Sequence, residues 1–503
     1  MSSEVRGMYL LKRDSLIRDV TVYRTARPSR KRLRRRIPLC VGVVFGPTKV
    51  ARFGNSVALL RNREFLSLAG TAFARSQAYS TIIIALALYA DAFGTSGFIE
   101  GLWGTAFASV QLLIVLPLGR KIDTGNAKRW LLAGLLINVL VFAGYMFIGD
   151  PVNAEIVALL KSVGAGALWT TNGSIQVVLV RMLQGIGASI LWITGSTVVG
   201  QISPDDESGR WLGSYNQVAA FSSLAGDLVG GLLLSMYDPL QSRVVFIVLA
   251  AVTMVAFVLV YFELRDNPGG GVDDPEAQSG IGTIKKLLKL PMLRSLVLFR
   301  LSFSVGKMAV IIFLPILART EFGIDAFAIG WILAGGKLTK SLLQGYVGDL
   351  TDQIGDRAKF VAAGALVYGF GIALIPLSLP AEETMGRFYL GYFGHGQELG
   401  GGFLVLFLAY AILGIGDSIR LPASMALFVE EGEKYDSVAS AMSLRSISWK
   451  IGQTAGPLGV GLIKDFVGTV QAFLTASAFV VFATGVFWLT HTMSGESEPA
   501  VAD

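Results

Sequence analysis

The amino-acid sequence predicts an all-α membrane protein with twelve transmembrane helices arranged as two six-helix halves. Of its 503 residues, 53% are hydrophobic and 16% are charged, and the mean hydropathy is +0.59. A soluble domain carries about 25% charged residues, so a soluble enzyme is excluded. Apolar stretches of about 20 residues recur from Phe65 onward, each long enough to cross a hydrocarbon core of roughly 30 Å. Short motifs also recur at one sequence offset.

The apolar stretches define the helices and the domain organisation. The predicted spans are 65–90, 100–118, 130–148, 174–200, 208–236, 243–263, 292–318, 326–347, 359–379, 401–429, 438–464 and 469–490. The longest linker is rich in Gly, Pro and Asp, which is typical of a connection between domains. We therefore expect a first half over 65–264, a cytoplasmic linker over 265–291, a second half over 292–490 and a cytoplasmic tail over 491–503.

The N-terminal 64 residues form a separate, strongly basic segment. They contain sixteen Lys/Arg and four Asp/Glu, a net charge of +12, whereas the remaining chain has 27 basic and 32 acidic residues. We interpret 1–64 as a cytoplasmic tail attracted to anionic lipid head groups, and we expect no nucleic-acid partner.

The distribution of Lys and Arg among the short loops predicts the orientation. With the N-terminus inside, the inner loops hold about twelve Lys/Arg and the outer loops hold five. Both termini of this multi-pass cell-membrane protein should therefore be cytoplasmic.

Cysteine and histidine usage limits the chemistry. Cys40 is the single cysteine, and His395 and His491 are the two histidines. A disulfide framework is therefore excluded, and a metal site has few ligands to draw on. The sequence also has no Walker loop, no H-E-x-x-H motif and no ligand-spaced His/Cys cluster. We expect no enzyme activity and no cofactor.

Two glycine motifs repeat at nearly the same offset. Gly119 opens G-R-K-I-D, ending at Asp123, and Gly348 opens a similar segment 229 residues later. Gly226 and Gly456 begin related motifs 230 residues apart. A shared offset predicts a parallel repeat, and such repeats place the substrate site near the bilayer midplane between the halves.

These motifs carry a family resemblance over residues 65–490. The loop signature G-x-L-x-D-x-x-G-x-R is met by Gly348, Leu350, Asp352, Gly355 and Arg357. The first copy is looser, with Gly119, Asp123 and the basic residue Arg129 in place. The segments R-M-L-Q-G-I-G from Arg181 and G-Q-T-A-G-P ending in Gly456 and Pro457 fit two further signatures, although Asp227 replaces the corresponding Pro in the first half. The sequence resembles the major facilitator superfamily.

The resemblance implies a secondary transporter that works by alternating access. It implies that Asp123 and Asp352, in cytoplasmic loops, belong to a latch that holds the halves together in the outward-open state. A solvated loop charge is the alternative. The glycines of spans 5 and 11, with Pro457, are expected to permit close helix packing.

Ionisable residues within the spans indicate the functional site more specifically than the motifs do. Each such residue is disfavoured in the membrane by about 2.5–3.5 kcal/mol on insertion scales. Asp227 and Asp417 are the anions, and the cations are Arg75, Arg181, Arg300, Lys307, Lys337, Lys340, Arg420, Arg445 and Lys450. We expect Arg181 to pair with Asp227. Asp417 should pair with Arg420, three residues away on one helix, with Lys450 as a competing partner.

Four cations are then left without a counter-ion: Arg75, Lys307, Lys337 and Lys340. Because spans 1 and 7 line the central cavity in the family, the resemblance places Arg75 and Lys307 opposite each other across the substrate path. Tyr79 shares a helix face with Arg75, and Lys337 shares one with Lys340. The alternative is that these cations neutralise backbone carbonyls or lipid phosphates.

The leading hypothesis is a secondary transporter of a small anionic solute. The second is a drug/proton antiporter that exports lipophilic compounds, which the glycine-proline signature favours and the excess of cations does not. A membrane-embedded enzyme or sensor stays formally open, although no motif supplies its chemistry. We expect a monomer in the lipid bilayer with a small-molecule substrate, and a coupling proton or ion is left open.

Overall fold

The computed structural model describes residues 59–123, 126–149, 173–204, 207–266, 285–392, 395–435 and 437–495, together with residues 158, 162 and 268. Most of the basic tail, most of the predicted linker and the last eight residues lie outside this part of the chain. The boundaries proposed for those segments remain predictions.

The described residues are almost entirely helical. The long helices, labelled in chain order, are α1 (Arg63–Phe93), α2 (Gly97–Asp123), α3 (Ala127–Tyr145), α4 (Gly173–Ile202), α5 (Ser208–Met236), α6 (Val244–Glu263), α7 (Pro291–Thr320), α8 (Ala326–Ile354), α9 (Arg357–Leu374), α10 (Gly401–Glu433), α11 (Val438–Phe466) and α12 (Thr469–Gly495). Three short elements are also helical: Leu59–Arg61, Ile375–Leu377 and Ser378–Thr384. The expectation of a helical membrane protein is confirmed.

Within the described chain, nine helices are long and apolar enough to cross a membrane: α2 to α7, α9, α10 and α12. The helices α1, α8 and α11 have similar lengths but are more polar. They carry Arg75, the pair Lys337 and Lys340, and Lys450 respectively. Among the charged residues of these three helices, Arg75 is buried, whereas Lys337, Lys340 and Lys450 are partly exposed.

Local sequence signals set the helix ends. Asn62 caps the start of α1 by accepting a hydrogen bond from the Phe65 amide at 3.0 Å, and Asp325 caps α8 through the Phe327 amide at 3.3 Å. The helix α8 ends at Gly355, whose φ of +78° is in the left-handed region that glycine adopts without strain. Asp356 then caps α9 by accepting from the Lys359 amide at 3.2 Å. Burial alone would raise the pKa of Asp356, but its bonds to Lys359 hold that pKa below its ordinary value.

The helices pack as a network of antiparallel and crossing pairs. The helix α1 packs on α5 and α6, α2 on α4, and α3 on α4 and α6. Likewise α7 packs on α11 and α12, α8 on α10, and α9 on α10 and α12. The main further contacts, α2 with α11, α5 with α8 and α1 with α7, join these groups.

A β-hairpin between α9 and α10 was not predicted. Strand β1 (Phe388–Tyr392) pairs antiparallel with β2 (His395–Leu399). The Tyr392 hydroxyl contacts Ser235 at the end of α5, at 2.7 Å, and donates to the Asp325 carboxylate at the start of α8. Burial and Asp325 raise the pKa of Tyr392 to about 12, so its phenol stays a hydrogen-bond donor. We call this side of the bundle the hairpin end, and the side with residues 348–357 the motif end.

The helices α2 and α11 approach most closely near the hairpin end, where glycines face backbone. A Cβ at Gly101 would overlap the Pro457 carbonyl oxygen, and one at Gly97 would lie 2.7 Å from the Gly461 oxygen. Asp465 of α11 also accepts from the amides of Gly97 and Phe98 at 2.6 and 2.8 Å. Small residues therefore permit backbone contact between these two helices.

Replacing Gly101 by Ala should destabilise the protein, because the new methyl group has no room against α11. We expect a loss of about 1–3 kcal/mol, measured as a lower melting temperature in detergent. The matched control is Gly213→Ala, also in a helix, where a Cβ meets nothing within 4 Å. Equal melting temperatures for the two variants would contradict the close contact.

Candidate functional site

One buried carboxylate on α10 holds three cations. Oδ2 of Asp417 accepts from the ammonium groups of Lys307 (α7) and Lys340 (α8), both at 2.7 Å. Oδ1 of Asp417 accepts from Nη2 of Arg420, also at 2.7 Å. We call these four residues the Asp417 cluster. Three positive charges on one carboxylate leave an excess of positive charge inside the helix bundle.

The two lysines of the Asp417 cluster keep part of their surface accessible. The side chain of Asp417 is 4% exposed, whereas those of Lys307 and Lys340 are 22% and 28% exposed. Each ammonium has three N–H donors and uses one on Asp417. The remaining donors can bind an oxyanion.

Two more cations of the membrane helices have no described acidic partner. Arg300 donates from Nε to the Arg445 carbonyl at 3.4 Å, and its guanidinium lies 4.7 Å from the Trp449 ring centroid. Lys450 donates to the amide oxygens of Gln453, at 3.2 Å, and Gln111. Neutral groups thus solvate these cations, and neither of them brings a further carboxylate to the Asp417 cluster.

A second ion pair joins α5 and α8. The Lys337 ammonium lies 2.6 Å from Oδ2 of Asp227, whose side chain is fully buried. Lys337 also donates to the Ser80 hydroxyl at 2.8 Å and to the Ser223 carbonyl at 3.4 Å. Lys337 and Lys340 are one turn apart on α8, and they pair with different carboxylates, Asp227 and Asp417.

Arg75 lies on α1 and is packed against an aromatic ring. It is 6% exposed, and its guanidinium carbon is 4.2 Å from the Trp192 ring centroid. Its Nη1 atom has no hydrogen-bond partner among the described residues. Tyr79, one turn further along α1, packs on Phe107 with ring centroids 5.5 Å apart. Arg75 therefore remains a buried cation with an unused donor.

The structure differs from one expected pairing, from one alternative partner and from the expected lack of counter-ions. Arg181 does not pair with Asp227; it donates to Gln184 at 2.8 Å and to the Trp103 carbonyl at 3.2 Å, because it faces α2. Lys450 donates to the side-chain amides of Gln111 and Gln453 rather than to Asp417. Lys307, Lys337 and Lys340 all have carboxylate partners, so only Arg75 of the four cations remains without one in the described chain. The expected pairing of Asp417 with Arg420 is confirmed.

The signature at 348–357 lies mostly in a helix rather than in a loop. The helix α8 continues through Gly348 to Ile354, and α2 likewise includes Gly119 and ends at Asp123. The side chains of Asp123 and Asp352 lie outside the described part of the structure. Arg129 is exposed in the first turn of α3. Arg357 pairs with Glu430 of α10, a partner that the sequence motifs did not identify.

The glycine-proline motif of α11 lies at helix contacts. A Cβ at Gly456 would lie 2.8 Å from the Val305 Cα atom of α7, and Pro457 packs against Gly104 of α2. Sequence reasoning also missed an ion pair beside this contact, between Glu100 of α2 and Lys464 of α11 at 2.6 Å.

Comparison with known proteins identifies the family to which the chain belongs. The family model described as Major Facilitator Superfamily matches residues 68–313 and 296–502. The chain belongs to the major facilitator superfamily. It is therefore a multi-pass membrane transporter and not an enzyme.

Similar proteins within the superfamily differ in their described roles. An uncharacterised MFS-type transporter of Methanocaldococcus jannaschii is 20% identical, with 79% of this chain and 90% of that protein covered. Multidrug resistance protein MdtG of Salmonella typhi is 23% identical, with 77% and 92% covered. The structure of a bacterial homologue of the human lysosomal transporter Spinster, inward-facing and occupied, superposes with a TM-score of 0.64 at 15% identity, covering 88% of this chain and 99% of that one.

Removing the central carboxylate should be severely destabilising for this superfamily member. Asp417→Asn leaves three cations without their counter-ion, and breaking a buried ion pair from one side costs about 3–5 kcal/mol. We expect a large fall in melting temperature and in the yield of monodisperse protein in detergent.

The control for that variant lies on the same helix. Glu430→Gln removes a half-exposed partner of Arg357, and we expect a change below about 1 kcal/mol. A melting temperature for Asp417→Asn within the range of this control would contradict the counter-ion role.

Proposed function

We propose that the chain is a twelve-span secondary transporter whose two six-helix halves form a parallel repeat. The helix packing supports this proposal, because contacts within α1–α6 recur six helices later. The contacts of α1 with α5, α2 with α4, and α3 with α6 correspond to those of α7 with α11, α8 with α10, and α9 with α12. The contact of α2 with α11 corresponds to that of α8 with α5 in the same way.

Alternating access would open and close the two ends of this bundle. At the hairpin end, side chains of the proposed halves are joined by Asp91 with Arg319 at 2.8 Å, by Glu100 with Lys464, and by Ser235 with Tyr392. These contacts must break if solute is to enter or leave there. The motif residues Gly348, Asp352 and Arg357 remain candidates for a latch at the opposite end.

We propose a small anionic solute as the substrate, and the excess of positive charge at the Asp417 cluster carries this proposal. A solute oxyanion would bind the free N–H donors of Lys307 and Lys340, with Arg75 contributing from α1. Charge-assisted hydrogen bonds to such an anion are stronger than neutral ones. Asp417 keeps the lysines compensated when no anion is bound.

A drug/proton antiporter is the second candidate. The names of similar proteins favour it, since they include a multidrug resistance protein and, over 45% of this chain, a class E tetracycline resistance protein of Escherichia coli. A lipophilic cation would lack an accessible acidic partner near Asp417, because three cations already occupy that carboxylate.

The proposed orientation places both termini in the cytoplasm and the hairpin end outside. Reporter fusions after Asp238 and Glu383 should then read as external, and fusions after Arg129 and Glu431 as internal. Alkaline phosphatase and fluorescent-protein reporters measure this directly. Two or more reversed positions would refute the proposed topology.

Neutralising one lysine of the cluster should weaken anion binding without unfolding the protein. Lys307→Gln and Lys340→Gln each leave Asp417 with two cations, and each should lower anion affinity about tenfold through loss of one charged hydrogen bond. Arg75→Gln should weaken binding as well. Ligand-induced thermal shifts with sulfate, citrate, benzoate and glycerol 3-phosphate measure these affinities.

The control is Lys359→Gln, which removes an exposed lysine at the start of α9 and should bind anions as the unmodified protein does. Tetraphenylphosphonium serves as the competing lipophilic cation. Stabilisation by that cation alone would reject the anion proposal and leave the antiporter.

A further inference from the structure

Asp227 differs from Asp417 and Glu100, two other buried carboxylates, in how few hydrogen bonds stabilise its charge. Lys337 is its one described cation, at 2.6 Å from Oδ2, yet neither oxygen of Asp227 accepts a hydrogen bond of normal geometry from the described residues. Asp417 has three cations in direct contact. Glu100 accepts a well-formed hydrogen bond from Lys464 at 2.6 Å. The ionised form is therefore less stabilised at Asp227 than at Asp417 or Glu100.

Besides Lys337, the described groups near Asp227 are neutral. Lys337 of α8 is the charged group that faces the Asp227 carboxylate. The Ser80 hydroxyl of α1 faces the same carboxylate. The Tyr410 phenol of α10 lies within electrostatic range. Ser80 accepts a hydrogen bond from Lys337 at 2.8 Å and shares one of 2.7 Å with Ser223, in which either hydroxyl can be the donor.

Asp227 also lies at a contact that must change during transport. A Cβ at Gly330 of α8 would overlap the Asp227 carbonyl oxygen, and one at Gly231 would lie 2.8 Å from the Ala326 oxygen. The helices α5 and α8 thus touch through backbone where the Asp227–Lys337 pair forms. Separating them at the hairpin end would break the pair and expose the carboxylate to solvent protons.

Protonation of Asp227 would change the net charge beside the proposed anion site. Lys337 and Lys340 lie three residues apart on one face of α8, where neighbouring side chains are about 5–6 Å apart. When Asp227 is ionised, it compensates Lys337. When Asp227 takes a proton from solvent, Lys337 keeps its charge and loses its counter-ion, so the site beside Lys340 becomes more positive.

We infer that Asp227 is a proton-binding site that raises the affinity for an anionic substrate by releasing Lys337, which makes the transporter a proton–anion symporter. The inference rests on the proposed anion transport. Because coupling between two binding sites is reciprocal, the anion raises proton affinity by the same factor. An antiporter needs the opposite sign, with proton and substrate excluding each other.

The sign of this coupling can be measured with anions whose own charge does not change with pH. Sulfate and benzenesulfonate remain ionised between about pH 5 and pH 8, a range in which ordinary carboxylates and lysines also keep their charge. Affinity should rise on the order of tenfold from pH 8 to pH 5 in the unmodified protein, a size typical of coupled sites.

Two variants separate the roles of the proton and of Lys337. Asp227→Asn mimics the protonated acid and should bind these anions at both pH values as tightly as the unmodified protein does at pH 5. The double variant Asp227→Asn, Lys337→Gln carries neither charge, which also keeps the test valid if the single variant folds poorly. It should show the weaker affinity at both pH values.

The matched control is Glu100→Gln, since Glu100 is also a buried carboxylate with one described lysine partner at an α2–α11 contact. It should retain the full pH dependence. Infrared difference spectra supply a readout that needs no ligand: a band of a buried protonated carboxyl should appear at low pH, remain in Glu100→Gln and vanish in Asp227→Asn.

The outcomes distinguish this inference from the proposed function. If neither these probes nor the earlier anion panel stabilises the unmodified protein at either pH, the anion proposal fails. If anions bind but their affinity is independent of pH, falls at low pH, or keeps its pH dependence in Asp227→Asn, the proton-site inference is wrong. A carboxyl band that persists in Asp227→Asn would also overturn it.

Discussion

The described structure depends on how a few ionised side chains are compensated between membrane helices. A charge there is tolerated when it faces a partner or a water-filled space. Asp417 and Asp227 satisfy this condition through α8, whose Lys340 and Lys337 pair with one carboxylate each. These two ion pairs fix the rotation of α8 about its axis, and its position along that axis, relative to α10 and α5.

Close backbone packing makes that arrangement possible. Glycines at the contacts of α2 with α11 and of α5 with α8 bring the helices near enough for short side-chain bonds to span them. The same packing excludes water from Asp227, which strengthens its attraction to Lys337 and makes its unpaired state costly. A buried ion pair such as Asp227 with Lys337 is either fully formed or broken. It therefore suits a helix contact that switches between two states better than an exposed ion pair does.

The sequence predicted helix positions well and side-chain partners poorly, for a physical reason. The length of an apolar stretch predicts where a span lies, and the residue number sets the depth of a side chain within that span. The pairing of Asp417 with Arg420, three residues away on the same helix, could therefore be predicted. Rotation about the helix axis is set by packing against several neighbours, and it turned Arg181 toward α2 and Asp227 toward α8. The hairpin was missed because Phe388–Leu399 is short and lacks the regular alternation that marks a strand.

Asp417 also bears on how a positively charged site could release an anion. Without Asp417, the two lysines would bind an oxyanion without competition, and tight binding slows release. With it, an anion bound to the free N–H donors competes with a carboxylate that contacts both ammonium groups at 2.7 Å, and this carboxylate remains bound to them when the anion departs. A ligand shifts a conformational equilibrium only by its differential affinity for the two states. In the proposed anion transporter, Asp417 would therefore serve two needs: it would hold the empty site together and keep the affinity for the anion low enough for turnover.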